Sequence, residues 1–131
     1  MNREEYIKNN FYFDKTNCPF CKLKNNKIIY QNKSWFILNN IYPYFNDNNP
    51  QLLVAPKRHI EFTKELTKEE LSDFLEIEQY LSNYFNELWK DYFSFIRQSK
   101  SNKSVEHLHY HYLVWKVIPF EKDNKKYFNI K

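Results

Sequence analysis

The chain contains no glycine. Glycine ordinarily fills positions that need a left-handed backbone or close backbone approach. Its absence assigns the tight turns to Asn, Asp, Ser or Pro, and the many asparagines suit that task. Cysteine is almost as scarce, with two residues in 131, which excludes a disulfide-dense secreted scaffold. No run reaches the ~18 consecutive apolar residues of a membrane-spanning helix. Residues 1–10 are charged and polar, unlike a signal peptide. A cytoplasmic protein without membrane association is therefore expected. Charge is also modest: 20 Lys and Arg against 16 Asp and Glu leave +4, with no long basic run. The scattered cations read as a solvated surface. Its mild positive field suits an anionic small molecule, and nucleic acid is the less expected partner.

Aromatic residues are abundant at 20 % and are expected to supply much of the core volume. The length predicts one domain spanning 1–131, with a core at about 17–117 and a charged, irregular tail at 119–131. Residues 3–12 suit a short helix. "IIYQNKSWFILN" reads as strands 28–31 and 34–38 around Asn32-Lys33, where Asn tolerates a positive φ. "QLLVA" at 51–55 reads as a buried strand. Thr67 and Glu70 form a capping box. Leu71, Phe74, Leu75, Leu81, Phe85, Leu88 and Tyr92 recur at helical spacing, predicting a helix over 68–91. Strands at 92–97 and 105–117 complete an α+β chain: an antiparallel sheet of about five strands with one long and one shorter helix packed on it.

Histidine occurs only four times, and three of the four stand in "HLHYH", residues 107–111. On a strand, alternate residues share a face, so His107, His109 and His111 would act together. A hydrogen-bonded structural face, a three-imidazole metal site and nucleophilic catalysis all fit that placement. "CPFC" at 18–21 adds a Cys-x-x-Cys pair. A closed tetrahedral metal site needs two further ligands. A redox dithiol fits less well, because no clear strand and long helix flank the motif.

Taken together, these features resemble the histidine triad family, whose motif alternates three histidines with apolar residues. Here it stands as His107-Leu108-His109-Tyr110-His111-Tyr112-Leu113. The likeness extends to "CPFC", to "NIYPYFNDNNPQLLVAPKRH" at 40–59 and to "ELTKEEL", spanning roughly 17–115 in order. It implies a homodimeric nucleotide hydrolase or nucleotidyltransferase. Such an enzyme acts at the α-phosphate of nucleoside phosphoramidates or dinucleoside polyphosphates, through a nucleotidyl-histidine intermediate. The resemblance places the nucleophile at His109 and a phosphate-facing partner at His111. It implies structural zinc on Cys18, Cys21, His59 and His107. It places substrate contacts at Asn40, Ile41 and Ser104, and Arg97 is a nearby cation suited to phosphate. The loop "SKSNKSVEH" lacks the glycines that relatives carry there. That departure supports the alternative, a catalytically weak nucleotide-binding or interaction module of the same fold. Zinc on all three triad histidines is a third reading.

Overall fold

A computed structural model describes residues 13–99 and 105–131. The expected helix at 3–12 lies outside the described residues. Among the described residues, seven strands and one α-helix follow one another: β1 Ile28–Gln31, β2 Trp35–Asn39, β3 Gln51–Pro56, α1 Lys68–Glu87, β4 Tyr92–Phe95, β5 Tyr110–Val114, β6 Val117–Lys122 and β7 Lys125–Ile130. The first five strands form one antiparallel sheet in the order β1-β2-β3-β5-β4. The expected α+β architecture is therefore present.

Period-two alternation divides this sheet into two faces. Trp35, Ile37, Leu52, Val54, Tyr112 and Val114 form one core with Ile77, Leu81 and Phe85 of α1. Phe36, Leu38, Leu53 and Ala55 face the other way, packing with Cys18, Phe20 and Val105. In the register of β3 and β5, His111 stands opposite Leu53 and Tyr112 opposite Leu52. The helix thus covers one face, and the histidines approach the other.

Helix α1 begins as expected. Thr67 accepts from the Glu70 N–H at 3.1 Å, and the Glu70 carboxylate accepts from the Thr67 N–H at 2.9 Å. Its inward stripe follows the predicted one at Phe74, Leu81 and Phe85 and departs from it elsewhere. Leu71 and Leu75 are exposed, and the buried line runs Glu70, Ile77, Leu81, Phe85. Glu70 is tolerated inward because Arg58 meets its carboxylate with Nε at 3.2 Å and Nη2 at 2.8 Å. This pair ties the segment before His59 to the start of the helix.

The helix also ends before the predicted residue 91. Trp89 takes a left-handed φ of 56°, its N–H donates to Asn86 O, and the Lys90 N–H donates to Phe85 O. This is a Schellman stop, in which glycine usually fills the left-handed position. The turn chemistry is broader than Asn, Asp, Ser and Pro: Trp89 and Trp115 hold two of the four positive-φ sites among the described residues. Asn32 is not one of these sites. It closes the β1–β2 turn with its side chain, whose Oδ1 accepts from the Ser34 and Trp35 N–H groups. Trp89 is 95 % exposed, so its ring contributes little packing. Trp89→Gly is expected to relieve the Cβ clash, raising stability by about 1 kcal/mol and Tm by roughly 3–5 °C in thermal melts.

Two further strand expectations change. The strand predicted at 105–117 is regular only over Tyr110–Val114, while Val105 makes an isolated parallel bridge to Phe13. The tail is not irregular. β6 and β7 pair along their whole length around Asp123-Asn124, whose φ values of 54° and 62° make a two-residue hairpin turn without glycine. Among the described residues, no helix is long and apolar enough to cross a membrane.

Candidate active site and metal-binding cluster

Residues 106–109 lead into β5, and backbone bonds hold this approach. The Glu106 N–H donates to Phe13 O at 2.8 Å, and the Leu108 N–H to Ile60 O at 2.6 Å. His107 is 1 % exposed. Its Nε2–H donates to the Pro56 carbonyl at 2.7 Å, because a carbonyl only accepts. The Nδ1 lone pair is thereby directed at the CPFC turn. Nδ1 lies 3.3 Å from Cys18 Sγ, 3.6 Å from Cys21 Sγ and 3.2 Å from His59 Nδ1, while Cys21 Sγ lies 3.2 Å from His59 Nδ1. The four side chains present donor atoms all within 4.8 Å of one another and could hold a metal ion.

The two cysteines are unlike each other. Cys18 is buried and Cys21 exposed. Burial, reinforced by the neighbouring Cys21, pushes the Cys18 thiol up to about 11. Without a cation, Cys18 is thus a protonated, unreactive thiol, and a bound metal would displace its proton.

Burial also holds His107 neutral, with its pKa lowered to about 4. In metal-free protein this links stability to pH. An unfolded imidazole protonates near 6.5, so between about 4 and 6.5 the unfolded chain binds more protons. The contribution is complete above about pH 6.5 and is lost as the pH falls toward 4, by up to ~3 kcal/mol. Urea unfolding of chelator-treated protein at about pH 7 and about pH 4.5 should show that loss. His107→Gln, which does not titrate, should lose less over the same interval.

His109 is fixed through its neighbour. Its Nδ1–H donates to the His107 carbonyl at 2.7 Å, which leaves the lone pair on Nε2. The His111 ring centroid lies 5.1 Å from that of His109. His111 is buried, stacked on Phe95 at 4.6 Å and 7°, with Tyr44 tilted against it at 5.3 Å. Phe20, inside the CPFC turn, packs 5.4 Å from His107 and 5.2 Å from His109. One ring therefore touches both a candidate metal ligand and the middle histidine.

The remaining candidates are placed unevenly. Asn40 spends its side-chain oxygen on the Tyr42 N–H at 2.9 Å, and Ile41 is 64 % exposed. Their loop reaches the triad through Tyr44, and Gln51 steadies it by accepting from the Tyr44 N–H and donating to the Phe45 carbonyl. Arg97 Nη2 donates to Tyr44 Oη at 3.2 Å, one side chain away from His111. Ser104 lies outside the described residues. Phe20, Tyr44 and Phe95 are the site residues that sequence reasoning missed. Only the position of Phe20 between the two cysteines gave a signal.

The family described as "Scavenger mRNA decapping enzyme C-term binding" matches residues 17–126. A curated relative, the bis(5'-adenosyl)-triphosphatase of Dictyostelium discoideum, is 30 % identical over 112 residues, covering 83 % of this chain and 73 % of its own. Among solved structures, a histidine triad protein from Clostridium difficile matches with a TM-score of 0.60 at 23 % identity, covering 82 % of this chain and 98 % of that one. The Plasmodium falciparum diadenosine triphosphate hydrolase, solved with cyclomarin A, matches with a TM-score of 0.61 at 18 % identity, over 72 % of this chain and 64 % of its own. At these identities the structural likeness is one of fold.

Proposed function

This chain belongs to the histidine triad family, and from that premise we propose that it is a nucleotide hydrolase or nucleotidyltransferase cleaving dinucleoside polyphosphates or nucleoside phosphoramidates at the α-phosphate. The observation carrying this reading is the 2.7 Å bond from His109 Nδ1–H to the His107 carbonyl. It selects the tautomer that a nucleophile needs, with the Nε2 lone pair available for attack. Attack forms an Nε2–P bond and breaks the bond from phosphorus to the departing group, which leaves with that bonding pair. Water or another acceptor then attacks phosphorus, releases the nucleoside monophosphate or its transfer product, and restores neutral His109. His111, held between Phe95 and Tyr44, faces the phosphate oxygens or the departing group and favours charge developing there. Arg97, Asn40 and Ile41 line the approach of the substrate, and family likeness assigns Ser104 a phosphate contact.

Zinc is the metal that best suits the two-thiolate, two-imidazole cluster. Tetrahedral zinc with bonds of about 2.0–2.3 Å requires ligand-to-ligand separations of roughly 3.3–3.8 Å. Four of the six separations, at 3.2 to 3.6 Å, lie close to that range, and all six are within 4.8 Å. Four protein ligands leave no open position, so bound zinc supplies structure. His107 then anchors the carbonyl that orients His109. We further propose a single-domain, cytoplasmic homodimer.

Incubating the protein with diadenosine triphosphate and, separately, with adenosine phosphoramidate tests the activity. Release of AMP that depends on His109 supports it. Nucleotide binding by calorimetry without turnover would favour the module reading, which the glycine-free loop before the triad supports.

A further inference from the structure

The hairpin β6–β7 gathers what the sequence scatters. Residues 116–131 hold five lysines against Glu121 and Asp123, a net +3 of the chain's +4. Among the described residues, Lys122, Lys125 and Lys126 make no ion pair.

Register sorts these side chains onto two faces, because directly opposed residues point the same way. One face carries Phe120 opposite Tyr127 and Lys122 opposite Lys125. The aromatic rings stack at 5.1 Å and 18°, and both remain partly exposed. The lysine pair closes the turn with like charges face to face, an arrangement that disfavours the hairpin by itself and that an anion would relieve. The other face pairs Glu121 with Lys126, which balances its charge. An isolated two-stranded hairpin is marginal in water, so a ligand that spans this face would also stabilise it.

At the hairpin's base the same chemistry continues. A cleft of about 660 Å³ is lined by Lys90, Asp91, Tyr92, Trp115 and Lys116 among others; Lys116 pairs with Asp91 at 3.5 Å, while Lys90 Nζ lies 5.2 Å over the Trp115 ring. This surface follows the C-terminal end of β5, whereas the triad precedes and enters its N-terminal end. It is a second site, separate from His109.

We propose that this face of the hairpin binds single-stranded nucleic acid. Bases stack on Phe120 and Tyr127, and phosphates meet Lys122 and Lys125. Stacking beside cations is the combination that single-stranded nucleic acid recognises. An acidic protein surface would use the lysines but not the stacked rings, which is why nucleic acid is the favoured occupant.

Fluorescence anisotropy of the full chain with labelled single-stranded oligonucleotides of one sequence, as RNA and as DNA, tests this. Saturable binding that weakens with salt is expected for at least one of the two, and weaker binding to the corresponding duplex. Lys122→Gln with Lys125→Gln should weaken binding at least tenfold and flatten the log–log salt slope by roughly 1.4, two phosphate contacts at about 0.7 each. Phe120→Leu with Tyr127→Leu, which keeps apolar bulk in the hairpin, should weaken binding several-fold with less effect on the slope. Both variants should retain AMP release from diadenosine triphosphate, which also reports that they fold. Three results would overturn the proposal: no saturable binding by the wild type, equal binding to duplex, or affinity unchanged in the lysine variant. Sedimentation showing this face buried between two copies, with loss of self-association in the lysine variant, would overturn it too.

Discussion

Replacing His109 by Asn should lower kcat on diadenosine triphosphate by roughly 10⁴-fold or more, with KM and Tm little changed. Asn is the informative substitution because its amide N–H₂ still donates to the His107 carbonyl, now met by His109 Nδ1–H at 2.7 Å. What it removes is the Nε2 lone pair. His109 is only partly buried, and among the described residues its ring contacts include Phe20 and His111; partial burial predicts a modest stability cost for the change. Steady-state kinetics beside a thermal melt separates lost chemistry from lost fold. A variant with most of its activity intact would remove His109 from the nucleophile's role.

The second large effect concerns the cysteines. Wild-type protein is expected to carry about one zinc per chain, and Cys18→Ser and Cys21→Ser should each lose it, with a loss of several kcal/mol in stability. The two differ in what burial alone would cost. Cys18 is 1 % exposed and Cys21 is exposed, so packing predicts a penalty only at Cys18. Comparable loss at both positions is the mark of a shared metal. Turnover should fall as well, because Phe20 and the His107 carbonyl both position His109. Metal analysis with denaturant unfolding measures this. Zinc retained in both variants but lost with His109 and His111 would place the metal on the triad instead.

How much of this was readable from sequence depends on how local each feature is. The apolar runs of β2 and β3, bounded by turn residues, and the Thr67–Glu70 cap are set by neighbouring residues, and both were legible. The grouping of Cys18, Cys21, His59 and His107 was also legible, through scarcity of ligands and family likeness. Phe74, Leu81 and Phe85 were legible in the inward stripe of α1, whereas Leu71 and Leu75 face outward because the stripe begins on Glu70, a charged residue made tolerable by Arg58 from another segment. The C-terminal hairpin was read as an irregular tail because its apolar residues alternate with nothing consistent: Val117, Pro119, Phe128 and Ile130 share one face, while Ile118, Phe120 and Tyr127 share the other. Asp123-Asn124 was the available turn signal. Trp89 and Trp115 in left-handed conformations follow no local rule, since the residues that normally fill such sites are absent or elsewhere. Tyr44, Phe95 and Phe20 reach the histidines only through tertiary folding, so their spacing in the chain carried almost no trace of that contact.

The central claim is that His109 carries the nucleotide between two steps. Mixing the protein with diadenosine triphosphate, quenching within a turnover under mildly alkaline conditions that spare a phosphoramidate, and mapping the peptides by mass spectrometry tests it most directly. The account predicts one nucleoside monophosphate attached to the peptide containing residues 107–111, localised to His109 and missing from His109→Asn. Turnover with no adduct under conditions that preserve a phosphohistidine standard, or an adduct on a different residue, would contradict it.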